Sequence, residues 1–199
     1  MTQSIAIIGA QLVDETGTRQ SDVLIADGRI VDVGSALTGD VTLVADGCVV
    51  APGFVDLHAH LREPGYEEAE TIETGARGAA LGGYTAVIAM PNTSPTIDSA
   101  AVVRQVSELA AAANLCDVYP SAAITVARAG EQLTPMAELV RLGVRIFTDD
   151  GAGVQDERVM RSALEYVGSL THLSNGFPIV LAQHCEIESL SRGGLMHEG

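Results

Sequence analysis

From Phe54 onward the chain alternates short apolar runs with segments of helical period, and this alternation constrains the fold more than any other feature of the sequence. The strand-like runs are FVDLH (54–58), YTAVIAM (84–90), DVYPSAAI (117–124), VRIFT (144–148) and PIVLAQH (178–184). Between them lie the helix-like segments TIETGARGAAL, SAAVVRQVSELAAAA, MAELVRLG and ERVMRSALEYVGSL. Near-continuous apolar strands joined by helices predict a parallel sheet covered by those helices. Five strands and four crossovers, with a fifth helix starting near Glu186, predict an α/β fold: part of a (β/α)8 barrel of the TIM type, about five βα units long.

The first fifty residues have a different rhythm. SIAIIGAQLV, DVLIADGRIVDVG and VTLVADGCVV are short β-like runs, and Asp27-Gly28 sits between two apolar alternations as a tight hairpin turn should. They predict a small antiparallel β unit that ends at Pro52-Gly53. The expected division is therefore residues 1–51 and 52–199.

Composition excludes several function classes. A formal charge of -15 repels phosphate backbones and anionic lipid, which argues against nucleic acid and membrane surfaces as partners. No apolar stretch approaches the ~20 residues of a membrane span, and MTQSIAIIGAQL lacks the basic region of a signal peptide, so a cytoplasmic protein is expected. Cys48, Cys116 and Cys185 lack metal-type spacing and read as reduced thiols. All eleven basic residues are arginine, and the chain has no lysine.

Polar residues gather just after the predicted strands: His58 and His60, Asn92 within Pro-Asn-Thr, Asp149-Asp150-Gly151, and His184. In parallel α/β folds the site forms at these carboxyl ends. Side chains two apart on a strand point the same way, so His58 and His60 can reach one ion together, and Asp56 shares their parity and could orient an imidazole. Taken singly, each feature has a plainer reading: a solvated turn for His-Ala-His, a strand-end histidine for His184, a helix-approaching turn for Asp-Asp-Gly. Three imidazoles and a carboxylate together suit zinc. GARGAALGG from Gly75 reads as small residues that let a helix approach the sheet, and the glutamates of EEAETIE as charge favouring a helix start. His172 and His197 are not assigned to the metal.

The strings FVDLHAHLREPG, AMPNTSPTID and HCEIESLSRGGLMHEG resemble the motifs of type I dihydroorotases, in the amidohydrolase superfamily. The similarity covers essentially the whole chain and corresponds to the first half or so of a family member. It implies that residues 1–51 belong to a composite β-sandwich domain and that residues 52–199 begin the metal-dependent hydrolase barrel. It implies one or two zinc ions per site, held by His58, His60, Asp150 (with Asp149 as the other choice for the bridge) and His184. Substrate contacts would come from His60, Arg62 and Asn92, Arg62 holding a ring carboxylate. The implied activity is reversible hydrolysis of the cyclic amide of dihydroorotate to N-carbamoyl-aspartate in pyrimidine biosynthesis. The family's proton-transfer aspartate falls beyond Gly199, so no catalytic residue is assigned within the chain, and a fragment or a chain needing a complement is expected. A homo-oligomer is the expected assembly.

Related hydantoinases and allantoinases generally bridge their metals with a carboxylated lysine, which this sequence cannot supply. Two other readings stay open: a non-catalytic partner of aspartate transcarbamoylase, and a hydantoinase or allantoinase type of cyclic amidohydrolase.

Overall fold

Alternation of apolar and polar residues over the first fifty positions builds two small sheets. A computed structural model of the chain describes residues 3–194 and divides it into two compact units, Met1–Gly53 and Phe54–Gly199. In the first unit, β1 (Ile5–Ile8), β4 (Asp22–Ala26), β5 (Arg29–Gly34) and β6 (Val41–Val44) form one sheet in the order β5-β4-β1-β6. A second sheet joins β2 (Gln11–Asp14), β3 (Gly17–Gln20) and β7 (Val49–Val50) in the order β3-β2-β7. Asp27 and Gly28 both have positive φ, 51° and 71°, as the two-residue β4-β5 hairpin requires.

The antiparallel expectation holds for β1-β4, β4-β5 and β2-β3, but β1-β6 and β2-β7 are parallel. Hairpin turns announce antiparallel neighbours, whereas a parallel pair depends on longer connections that carry no local signal. Ala6, Leu12 and Val23, drawn from both sheets, are buried.

In the second unit the strands are β8 (Phe54–Ala59), β9 (Tyr84–Ala89), β10 (Asp117–Pro120), β11 (Ile146–Phe147) and β12 (Val180–Leu181). β8-β9-β10 form a parallel sheet and β11-β12 a parallel pair. Ala122, just past β10, makes a parallel bridge to Phe147, so five strands follow one another in sequence order. The crossovers are α1 (Ile72–Leu81), α2 (Ala100–Ala113), α3 (Met136–Arg141) and α4 (Glu157–Ser169), followed by α5 (Glu188–Ser191). The later strands are shorter than the apolar runs suggest. Pro120 offers no N–H to a ladder, and the chain beyond it makes isolated bridges, Ala122 with Phe147 and Thr125 with Leu133.

One apolar cluster unites Ile72 and Ala76 of α1, Val103 and Val106 of α2, Leu139 and Val140 of α3, and Ala163 and Val167 of α4 with Val87 and Phe147 of the strands. Each fully buried Ile, Leu or Phe among them contributes about 1.5–3 kcal/mol, which fixes the helices on the sheet and hence the strand ends that carry the site. Gly75 of α1 lies where a Cβ would come within 2.4 Å of Leu61 Cδ2, a close approach between helix and strand end. Thr71 caps α1, accepting from the Thr74 N–H, and Glu73 lies in the first turn. His197 and the end of the HCEIESLSRGGLMHEG string lie outside the described residues.

Candidate metal centre

Two strand ends bring a small group of ligand atoms together. His58 lies near the end of β8, His60 follows it by two residues, and Asp150 sits in the turn after β11. One ligand atom from each lies within 4.8 Å of the others. His58 Nε2 is 3.4 Å from Asp150 Oδ1, and His60 Nε2 is 3.7 Å from Asp150 Oδ2. Both distances are long for a hydrogen bond. Ligand atoms bound at about 2.0–2.2 Å to a tetrahedral ion stand roughly 3.3–3.6 Å apart; the 3.4 Å separation falls in that range and the 3.7 Å separation just beyond it, so the group could hold a metal ion. The donor set fits the same ion: two neutral imidazoles and one carboxylate.

Asn92, beyond β9, completes the arrangement from the side. Its Oδ1 is 3.0 Å from His60 Nδ1, and its Nδ2 donates to Asp150 Oδ2 at 2.9 Å. With the Nδ1 proton given to Asn92, His60 presents a free Nε2 lone pair toward Asp150, as a metal-ligating imidazole must. Asn92 thus spends both ends of its amide on orienting two members of the group. Asp56 does something other than orient an imidazole: its Oδ1 accepts from the His58 backbone N–H at 2.9 Å. A carboxylate two residues before an N–H closes this short local loop more easily than it reaches a ring beyond it.

The two neighbouring aspartates have different surroundings. Asp149 is fully buried, and its Oδ1 accepts from the N–H groups of Ile124 and Thr125 at 2.8 and 3.1 Å, while Oδ2 accepts from the Thr125 hydroxyl. Burial pushes its pKa above the ordinary carboxylate value, against the opposing pull of the Thr125 hydrogen bonds. Asp150, one residue on, turns its carboxylate to the imidazoles. Its backbone carbonyl accepts a hydrogen bond from Arg128 Nη1. Arg128 was not among the residues singled out from the sequence, and nothing in Val-Ala-Arg-Ala-Gly marks it; its place depends on Ala127 and Arg128 both having positive φ.

Arg62 and His184 stand apart from this group. Arg62 has φ 62°, and among the described residues its side chain makes no hydrogen bond or ion pair. The loop that carries it is tied down on both sides. Glu63 Oε2 accepts from the Ile72 N–H at the start of α1, and Pro64 O accepts from the Ser94 N–H at 2.9 Å. His184 Nε2 lies 3.1 Å from Glu186 Oε2, on the wall of an open cavity of ≈ 810 Å³ that Glu131, Gly151, Gln155 and Asp156 also line. The Glu186 carboxyl is held below its ordinary range, first by a hydrogen bond from Ser191 and then by His184. The main chain at His184 nonetheless packs on the Asp150 turn, because a Cβ on Gly153 would fall 2.3 Å from His184 O.

A family model described as dihydro-orotase-like matches residues 47–199. The dihydroorotase of Leifsonia xyli subsp. xyli is 45% identical over 201 residues, an alignment that takes in 99% of this chain and 44% of that protein. The dihydroorotase of Mycobacterium tuberculosis is 48% identical over 185 residues, covering 89% of this chain and 41% of the relative. The chain therefore spans less than half the length of these curated relatives. Among solved structures, a D-hydantoinase superposes with a TM-score of 0.66 at 22% identity, over 85% of this chain and 38% of that one. That likeness places the α/β fold among the hydantoinase structures.

Proposed function

The chain belongs to the dihydro-orotase-like family, and from that premise we propose that it supplies the first metal ligands and the substrate clamp of a zinc-dependent dihydroorotase. On this reading residues 1–51 are part of a composite β-sandwich domain and residues 52–199 are the first part of a (β/α)8 barrel. The observation that carries the proposal is the convergence of His58 Nε2, His60 Nε2 and the Asp150 carboxylate at the spacing of ligands around one ion. His184, on the same side of the strands, would serve a second ion after turning away from Glu186.

His58, His60 and Asp150 would hold the ion, which when bound would supply Lewis acidity for an amide carbonyl and a water of near-neutral pKa. The chain's own residues bind and orient. Arg62 offers a planar fork of donors, which suits the ring carboxylate that distinguishes dihydroorotate from a simple hydantoin. Asn92 holds the His60 imidazole and the Asp150 carboxylate in register, and its remaining Nδ2 proton is available to the ring. Asp150 would serve as the carboxylate ligand on this reading, and none of the 199 residues is a lysine that could be carboxylated in its place.

The test is kinetic and analytical. Purified protein should retain zinc and lose it in His58→Ala or Asp150→Asn, and a complete enzyme that contains these residues should interconvert dihydroorotate and N-carbamoyl-aspartate. Arg62→Met should raise the KM for dihydroorotate by about 10- to 100-fold, the worth of a charge-assisted pair, while leaving any turnover of uncharged hydantoins unaffected. Normal affinity for dihydroorotate in that variant would refute the carboxylate clamp. Metal-free protein that co-purifies with a transcarbamoylase would refute the enzyme.

A further inference from the structure

The turn that carries Asp150 is tied to the neighbouring strand end in two directions. Asp149 reaches back, accepting from the Ile124 and Thr125 N–H groups and from the Thr125 hydroxyl. Arg128 reaches forward, donating from Nη1 to the Asp150 carbonyl. The segment that presents Arg128 is itself fastened: Thr125 O accepts from the Arg128 N–H at 3.0 Å, Thr125 Oγ1 accepts from the Gly130 N–H at 2.9 Å, and Asp98 Oδ2 accepts from the Ala127 N–H at 2.9 Å.

Arg128 occupies this place against several local preferences. Ala127 and Arg128 have φ of 53° and 57°, the left-handed region that residues with a Cβ rarely enter. Arg128 Nε is buried and, among the described residues, has no hydrogen-bond partner. Both features cost stability, and a glycine or an apolar side chain would relieve them. What the arginine provides is reach. It is the side chain that grips the Asp150 peptide unit, and Asp150 sits in a turn, next to Gly151 at φ 76°, rather than in a helix or a strand.

We propose that Arg128 is a positioning residue of the metal centre, which together with Asp149 forms a reciprocal clasp that fixes the Asp150 carboxylate opposite His58 and His60. The proposal rests on the reading of that group as a metal site. A carboxylate ligand on a mobile turn would sample orientations that bind nothing. Holding its carbonyl on one side and the preceding side chain on the other leaves the Asp150 side chain little choice but to face the imidazoles.

The experiment titrates cobalt(II) into metal-free protein, unsubstituted and with Arg128→Met or Arg128→Lys, and follows amide hydrogen exchange in the same metal-free samples. Arg128→Met should bind cobalt at least about 10-fold more weakly, the usual cost of losing a residue that orients a ligand, with an altered d–d absorption spectrum. The amides of residues 149–153 should exchange faster while the rest of the unit stays protected. Arg128→Lys, which keeps a donor within reach of the carbonyl, should recover part of both. Unchanged exchange at 149–153 in Arg128→Met, or cobalt bound with unchanged affinity and spectrum, would overturn the clasp. So would general loss of protection that lysine does not rescue, since that marks a purely structural role. If the unsubstituted protein takes up no cobalt, the metal reading fails, and exchange at 149–153 alone decides whether the clasp exists.

Discussion

Asp149 and Asp150 are chemically identical neighbours that the fold has given opposite tasks. The sequence leaves both eligible for the metal, because a two-residue run of aspartate states no direction. Direction comes from the adjacent strand end, whose Ile124 and Thr125 offer three donors that only Asp149 can meet. Replacing Asp149 with alanine leaves those buried donors without an acceptor, at about 1–3 kcal/mol each. We expect Asp149→Ala to lower Tm on the order of 10 °C, whereas Asp150→Asn should change Tm little in metal-free protein and abolish metal retention. Calorimetry and metal analysis on the two variants check this, and the reverse pattern would exchange the roles. The histidine pair was readable in advance because strand parity is local. The part played by Asn92 was not, because its two partners are 32 and 58 residues away in sequence.

Among the elements, the loops after β8 and β9 lie close enough that one position admits only glycine. Gly65 has φ 100°, and a Cβ there would fall 2.1 Å from Ser94 O, a backbone atom that cannot step aside alone. Gly153 is in the same position against His184 O, at 2.3 Å. Gly75 differs: its tightest neighbour is the end of the Leu61 side chain, which can change rotamer. Gly65→Ala should therefore push apart the loops bearing Arg62 and Asn92, raising KM and lowering Tm together. Gly75→Ala should cost less on both counts, because relaxation of one side chain absorbs it. Substrate kinetics and thermal melts of the two variants make the comparison, and equal effects would mean that the loop contact is not what positions Arg62. The alternation of strands and helices in the second unit was legible from apolar periodicity, since each strand and helix announces itself over consecutive residues. The parallel pairs of the first unit and the short reach of β11 and β12 were not, for both depend on which distant segment supplies the partner.

At the scale of the molecule, the second unit exposes apolar surface where a covered sheet would hide it. Among the described residues β8 pairs only with β9 and β12 only with β11, so both outer strands have an unpaired edge. The β8 edge bears Phe54, Val55 and Leu57, which are 63%, 54% and 65% exposed, and Val180 of β12 is 44% exposed. Which side chains lie on these edges is visible only in the structure. An unpaired strand edge with exposed aliphatic side chains is a template for another chain. Opposing this is the formal charge of -15, whose repulsion between copies is strong at low ionic strength and screened beyond roughly 8–10 Å near physiological salt. The 199-residue chain is therefore expected to self-associate increasingly as salt is raised. A Val55→Lys, Leu57→Lys double variant should remain dispersed over the same range, because the lysines remove apolar surface from the edge and make its pairing costly. Sedimentation velocity across a salt series measures both, and an unsubstituted chain that stays a monomer of 20.6 kDa at every ionic strength would show that these edges are not adhesive.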